Sequence, residues 1–198
     1  MAELTLQGLS KKQAENEIDT SIDRLIYYAG WADKFQQVFS HVNPVSLPYF
    51  NFTVPEATGV VAAIAPDDTS LLGLVSVIAP VIAGGNSIVV LASESFPLCS
   101  ITLAEVLHTS DVPEGIVNIL TGYRSELIEH FSSHMDVNAI IYCGNDRNDR
   151  KLVETNAALN IKRVVQFPEQ NWSKDQHQSP YHIMKCQETK TTWHPVGI

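Results

Sequence analysis

Apolar residues in the middle of the chain fall into five short runs rich in valine and isoleucine. Segments with apolar residues at three- and four-residue spacing lie between most of these runs. Short β-branched runs that alternate with helical segments are typical of parallel strands buried on both faces. The pattern predicts an α/β fold with a Rossmann-like, doubly wound parallel sheet of about five strands. The strands are expected at residues 59–65, 87–91, 117–120, 139–143 and 161–167.

Helices are predicted between these strands and ahead of the first one. An amphipathic pattern favours an N-terminal helix over residues 11–37, although Gly30 inside it lowers the helix propensity. Prolines and alternating aromatic residues favour extended, edge-like strands over residues 41–54, and residues 189–196 alternate in a similar way. These segments predict a small arm outside the main sheet. The other helices are expected at residues 71–83, 98–108, 125–133 and 145–158.

The composition of the chain argues against several classes of binding partner. The 198 residues include 13 basic and 22 acidic side chains, a net charge of -9, which argues against binding to a phosphate backbone. The start of the chain does not resemble a signal peptide, and no run of about 18 apolar residues predicts a membrane span. Cys99, Cys143 and Cys186 lack metal-ligand spacing. We therefore expect a cytoplasmic chain with no nucleic-acid, membrane or metal partner.

Five segments resemble consecutive motifs of the aldehyde dehydrogenase superfamily, in the same order and spacing. They are YYAGWADK (27–34), GVVAAIAP (59–66), APVIAGGNSIVVLASE (79–94), VPEGIVNILTG (112–122) and NIKRVV (160–165). A co-linear series of five motifs is far more specific than a single glycine loop. A finer resemblance, to the degenerate second domain at the C-terminal end of family 16 aldehyde dehydrogenases, rests on APDDTSLLGLVS, TSDVPEGIVNILTG and KTTWHPVGI.

The resemblance implies a division of the chain and an oligomerisation-type arm. The closing strand is expected to pair with the earlier arm strands and to join a protein partner or a second copy of the chain. Tyr49, Phe50, Phe52 and Trp193 are the expected interface residues. The expected parts are an N-terminal helical segment (1–40), arm strands (41–58), a Rossmann-like domain of the NAD-binding type (59–168), a linker in place of the catalytic domain (169–188) and a C-terminal arm strand (189–198).

The resemblance also implies that the catalytic chemistry is lost. Asp68 stands where the family has an oxyanion-binding asparagine, and a carboxylate there repels a developing negative charge. Phe167 stands where the family has a glutamate base, and it cannot take a proton. The resemblance implies that the domain carrying the nucleophilic cysteine is absent, and Cys186 is expected to be an ordinary linker thiol. The resemblance thus implies a non-catalytic domain.

Cofactor binding is a separate question. Glu94 and Gly144 match family positions next to the adenosine ribose and the diphosphate of NAD. Glu94 either contacts a ribose or caps its own loop. Asp146 and Asp149 oppose diphosphate at a helix start, and Asp146 is expected to be a helix cap. We expect no cofactor, with weak NAD binding as the open alternative.

Two acidic neighbours, Asp67 and Asp68, are expected to cap the helix that follows them. The leading hypothesis for the chain is a structural, dimerising or protein-docking role. One alternative is an NAD-binding or NAD-sensing module. Another is a part of a longer NAD(P)-dependent aldehyde dehydrogenase whose catalytic cysteine lies elsewhere.

Overall fold

The structure is a computed structural model that describes residues 1–46, 48–168 and 171–197. The expected parts 41–58, 169–188 and 189–198 each include residues outside this description. The strands are β1 His41–Asn43, β2 Tyr49–Ala57, β3 Val60–Ile64, β4 Ser87–Leu91, β5 Val117–Leu120, β6 Ala139–Cys143, β7 Arg163–Phe167 and β8 Gln187–Pro195. The α-helices are α1 Ala2–Leu6, α2 Lys11–Ala29, α3 Phe35–Phe39, α4 Leu72–Ala83, α5 Leu98–His108, α6 Arg124–Ser133, α7 Arg147–Ala158 and α8 Pro180–Met184.

The main sheet has five parallel strands in the order β5-β4-β3-β6-β7, and this confirms the expected fold class. Its central strands β3, β4 and β6 are mostly apolar on both faces because helices cover both. Val77 of α4 packs in one core cluster together with Val61 and Ile88 of the sheet. Ile128 of α6 and Val153 of α7 pack in the cluster on the opposite face. The strand order reverses between β3 and β6, as a doubly wound sheet requires.

The sequence predicted the strands of this sheet and most of the helices around it. The prediction of one long N-terminal helix was wrong. The predicted bounds of β4, β5, β6 and α5 match those of the structure, and β3 and β7 are shorter than expected. The predicted helix 11–37 divides instead into α2 and α3. The Gly30 amide bonds to the Ile26 carbonyl, and a turn then leads the chain into α3. That turn allows Tyr28 and Phe35 to pack in one cluster with Ile183.

The arm is a three-stranded antiparallel sheet in the order β1-β2-β8. β2 and β8 pair over their full lengths, from Tyr49 opposite Pro195 to Ala57 opposite Gln187. β2 is three residues longer at its C-terminal end than the predicted arm segment 41–54, because its pairing with β8 continues to the base of the arm. β1 contributes only three residues at the other edge.

The segment between the main sheet and β8 forms part of the core. It contains a short 3-10 helix at Asp175–His177 and then α8, neither of which the polar pattern predicted. Trp172 is 2% exposed and Ile183 is fully buried. Arg24 of α2 is 1% exposed. Its guanidinium donates to Ser76 Oγ at 2.8 Å, to the Trp172 carbonyl at 2.9 Å and to the His177 carbonyl at 3.2 Å.

Within the described ranges, none of the helices combines the length and the apolar character needed to cross a membrane.

Candidate functional site

A crevice lies at the point where ligands usually bind in this type of sheet. In open α/β sheets that point is outside the carboxyl ends of the strands, where the strand order reverses. Here the loop at residues 66–68 follows β3, and Gly144 and Asn145 follow β6. With Arg124, Cys143, Phe167, Pro168 and Trp172, these residues line a cavity of about 180 Å³. We call the loops that follow β3, β4, β5 and β6 the rim of the crevice.

Asp67 connects two loops of the rim and does not cap α4, which corrects the prediction. Its Oδ1 accepts from Ser93 Oγ at 2.7 Å and from the Ser95 amide at 2.8 Å, and its Oδ2 accepts from Ser95 Oγ at 2.8 Å. Burial raises the pKa of Asp67, but these hydrogen bonds outweigh it and hold the pKa below its ordinary value. The Asp67 carboxylate therefore joins the loop after β3 to the loop after β4.

The cap of α4 comes from the N-terminal helix α2. Glu17 Oε1 accepts from the Leu71 amide at 2.8 Å and from the Leu72 amide at 3.1 Å. The loop before α4 adds a second acceptor, because Thr69 Oγ1 accepts from the Gly73 amide at 2.9 Å. The capping role expected for Asp68 stays a prediction. Sequence reasoning missed Glu17 because it lies far from α4 in the chain, and only the packing of α2 against α4 brings them together.

Glu94 is bonded to the helix that follows the next strand. Its Oε2 accepts from the Arg124 amide at 2.9 Å, at the first residue of α6. The side chain is exposed at the rim. The carboxylate thus caps α6 and not its own loop, and a contact with a ribose stays a prediction. A carboxylate is a favourable partner at this place because of the partial positive charge at a helix N-terminus.

Arg124 is a rim residue that sequence reasoning missed. Its Nε lies 3.1 Å from Asp149 Oδ2 on α7. The same oxygen accepts from the Tyr142 hydroxyl at 3.1 Å. Burial, followed by the Asp149 charge, raises the pKa of Tyr142 to about 12. The available signal was a basic residue just after β5, at the sheet edge where all the parallel strands end.

Gly144 and Asp146 each have a structural role in the loop between β6 and α7. A Cβ atom added at Gly144 would lie 2.8 Å from the Tyr142 hydroxyl oxygen, so the glycine makes room for that ring. Asp146 is the N-cap of α7, as predicted. Its Oδ1 accepts from the Asn148 amide at 2.8 Å and from the Asp149 amide at 3.0 Å, and these bonds lower the pKa of Asp146.

Phe167 lies in an aromatic cluster at the end of β7. Its ring is 5.7 Å from the Trp172 ring and 5.1 Å from the His182 ring, and Lys185 Nζ is 4.0 Å from its centroid. Burial lowers the pKa of His182 to about 4, with nearby cations adding to the effect. Its Nδ1 lies 3.2 Å from the Tyr28 hydroxyl. The position expected for a base thus holds a buried packing residue.

All three thiols are buried and unpaired in disulfides. Burial raises the pKa of Cys186 to about 12 and also raises the pKa of Cys99 and of Cys143. Thiolate formation is therefore disfavoured at each of them. Among the described residues, no group of three or more histidine, cysteine, aspartate or glutamate side chains is arranged to hold a metal ion.

The four expected interface residues lie on the arm but on two different faces. Tyr49 and Trp193 share one face, with ring centroids 5.9 Å apart. Phe50 and Phe52 share the opposite face, with centroids 5.5 Å apart. Tyr49, Phe50 and Trp193 are 40%, 46% and 58% exposed. Val42, Phe50, Phe52 and Val54 line a groove of about 320 Å³, and we call them the apolar face of the arm.

Known proteins that are similar to this chain include aldehyde dehydrogenases and a crystallin. The profile of the Aldehyde dehydrogenase family matches residues 2–166. The chain belongs to the aldehyde dehydrogenase family. The Aldehyde dehydrogenase, cytosolic 1 of Elephantulus edwardii is 34% identical over 149 residues, or 75% of this chain and 29% of that protein. Omega-crystallin of Enteroctopus dofleini is 32% identical over 172 residues, or 82% of this chain and 34% of that protein.

Solved aldehyde dehydrogenase structures share the fold. A betaine aldehyde dehydrogenase from Staphylococcus aureus, solved in complex with NAD+, is 29% identical with a TM-score of 0.73. The match covers 80% of this chain and 31% of that one. The chain therefore spans about a third of the length of the aldehyde dehydrogenases that it matches.

Proposed function

We propose that this chain is a non-catalytic aldehyde dehydrogenase-like domain with a structural role, and that its arm sheet forms a homodimer. The observation that carries the proposal is the exposed arm, which presents an apolar face and an unpaired edge. Within the family, we place it nearest to the degenerate second domain of family 16 enzymes, on the segments APDDTSLLGLVS, TSDVPEGIVNILTG and KTTWHPVGI.

The two edges of the arm differ. On one side β1 contributes three residues and is followed by Pro44, so this edge is short and ends in a residue that cannot donate a hydrogen bond. On the other side β8 has nine residues, all but the first of them exposed, and its outer edge pairs with no strand of the described sheet. Long exposed edge strands are templates for pairing with another chain. The edge of β8 is therefore the proposed line of contact.

The apolar face, on β1 and β2, offers a second surface for contact with the same partner. Val42 is 61% exposed and Phe50 is 46% exposed, and Phe52 and Val54 beside them are partly exposed. Exposed apolar groups that lie together on one surface mark contact sites more often than scattered ones do. A second copy is the favoured occupant because this edge can pair antiparallel with its own copy, a closed two-fold arrangement.

The chemistry of the crevice supports the non-catalytic part of the proposal. Asp68 at the oxyanion position carries the wrong charge to stabilise an oxyanion, and Phe167 at the base position is 7% exposed and packed among aromatic rings. Cys186, the thiol within the expected linker, is 1% exposed, and burial raises its pKa. A buried thiol of this kind is a poor nucleophile.

Solution mass tests the role of the arm. The purified chain is expected to be a dimer by light scattering at micromolar concentration, and Phe50→Lys is expected to be a monomer because it places a charge on the apolar face. Ile101→Lys on α5 is the matched control, since Ile101 is similarly exposed (51%) and lies outside the arm. A monomeric parent chain, or a Phe50→Lys variant that stays dimeric, would count against the arm.

An assay of aldehyde oxidation tests the proposal that the domain is non-catalytic. NAD-linked oxidation of an aldehyde is expected to be absent for this chain alone. Turnover that disappears in Cys186→Ser would overturn the non-catalytic assignment, whereas turnover that survives this change would indicate a contaminating enzyme.

A further inference from the structure

We propose that the crevice is closed against dinucleotides by the chain's own side chains, because carboxylates occupy the helix N-termini that would otherwise bind phosphate. This inference concerns the rim and is independent of the proposed role of the arm. It rests on three capping contacts, one ion pair and the size of the cavity.

Four helices follow the loops of the rim, and a carboxylate of this chain caps three of them, α4, α6 and α7. The fourth is α5, whose Leu98 amide donates to the neutral Gln7 Oε1 at 2.8 Å. Glu17 accepts from two amides at the start of α4, and Glu94 accepts from the first amide of α6. Asp146 accepts from two amides in the first turn of α7. Free amides and the helix dipole make helix N-termini anion sites, and the N-termini of α4, α6 and α7 already have an anion. A phosphate would have to displace a carboxylate.

Arg124 is the basic residue that lines the crevice, and it too is engaged. Its guanidinium lies against Asp149 at 3.1 Å, and the same carboxylate holds the buried Tyr142 hydroxyl. The Arg124 charge also lowers the pKa of Asp67, in addition to the larger effects of burial and of hydrogen bonds from the serines. The Arg124 side chain thus interacts with two carboxylates of the chain, Asp149 on α7 and Asp67 in the rim.

The loops are consequently tied to one another across the rim. Asp67 joins the loops after β3 and β4, Glu94 joins the loop after β4 to α6, and Arg124 joins α6 to α7. The cavity between these loops is about 180 Å³, and a separate cavity of about 820 Å³ on the α2 side shares Asp68 and Trp172 with it. Sites for small molecules and cofactors usually enclose about 300–1,000 Å³. The residues present do not fit NAD, whose ribose and diphosphate need the groups that the rim uses for itself.

Opening the rim should restore binding. In Asp146→Gly/Asp149→Asn the first substitution frees the amides of α7, and a glycine N-cap costs only a few tenths of a kcal/mol. The second releases Arg124 while an amide oxygen remains for the Tyr142 hydroxyl. Asp111→Gly/Asp136→Asn is the matched control, because it makes the same charge change at exposed positions outside the crevice.

The experiment is a calorimetric titration of NAD, and separately of inorganic pyrophosphate, into the three folded proteins. The parent chain and the control are expected to show no saturation up to about 10 mM, and the opened variant is expected to bind both at least about tenfold more tightly. Saturable NAD binding by the parent chain below about 1 mM would overturn the proposal whatever the variants do. So would an opened variant that binds no better than the control.

Discussion

The rim of the crevice and the arm sheet use their polar groups in opposite ways. At the rim, Asp67, Glu94 and Arg124 are bonded to other loops of the same chain. In the arm, the outer edge of β8 meets no strand of the described sheet, and Val42 and Phe50 are exposed. The rim is complete without a ligand, and the arm is incomplete without a neighbour. The difference directs attention to assembly and away from the crevice.

The largest effect is expected in the segment over the crevice, from Trp172 to Ile183. Arg24→Ala removes the guanidinium that donates to Ser76 Oγ and to the Trp172 and His177 carbonyls. Orphaned buried acceptors and the cavity left behind are expected to lower the free energy of unfolding by about 3 kcal/mol or more. The measurement is chemical denaturation followed by tryptophan fluorescence.

Arg150→Ala is the control for Arg24→Ala, because Arg150 is exposed on α7. Its effect should stay within about 0.5 kcal/mol. If Arg24→Ala were as mild as the control, the segment from Trp172 to Ile183 would not depend on this anchor. The view of the crevice as a self-contained unit would then weaken.

The main sheet could be predicted from the sequence, but the segment that follows β7 could not. The runs of β4, β5 and β6 were predicted with the bounds of the structure because β-branched residues on a buried strand leave little ambiguity. The segment after β7 is polar, so α8 and the 3-10 helix gave no periodic signal. Their burial depends on tertiary partners such as Arg24, and an arginine on a helix is ordinarily expected in solvent.

Some residues around the rim could be assigned from the sequence, and others could not. Asp146 was identified as a cap because its partners are two and three residues away, which a local pattern predicts. Glu17, Asp67 and Arg124 act on residues that are distant in the chain or on neighbouring strands. The choice between Asp67 as a cap and Asp67 as a bridge depends on where Ser93 and Ser95 lie, and only the assembled sheet fixes that.

Acid should destabilise the segment over the crevice. Burial lowers the pKa of His182 from 6.5 to about 4, so the unfolded chain takes up a proton at this position more readily than the folded chain. Stability is then fully present above about pH 6.5 and falls as the pH drops from 6.5 towards 4, by at most about 3 kcal/mol in total. Burial lowers the pKa of His177 as well, which acts in the same direction.

The check is the free energy of unfolding measured between about pH 4 and pH 7. His182→Gln should flatten the slope, and His108→Gln at an exposed position should leave it unchanged. A slope that His182→Gln does not alter would mean that other groups carry the acid sensitivity.

A smaller effect is expected from one link of the rim. Asp149→Ala removes the acceptor of the buried Tyr142 hydroxyl and the partner of Arg124. The loss should be about 1–2 kcal/mol, mainly from the hydroxyl, because the ion pair is partly exposed and screened by solvent. Adding Tyr142→Phe should recover part of the loss, since no hydroxyl is then left without a partner. Losses that simply add would indicate that the two side chains are not coupled.

The smallest effect is expected in the arm, and it depends on protein concentration. Lys190 on β8 pairs with Glu56 on β2, and both side chains are exposed beside the apolar face. In a monomer, Lys190→Ala should leave the denaturation midpoint unchanged, because exposed ion pairs contribute little. If a second copy covers this face, the pair is removed from solvent and its loss should weaken the dimer. A midpoint that shifts in the concentrated protein but not in the dilute one would place Lys190 in an interface, and a shift of equal size at both concentrations would assign it to the folded monomer alone.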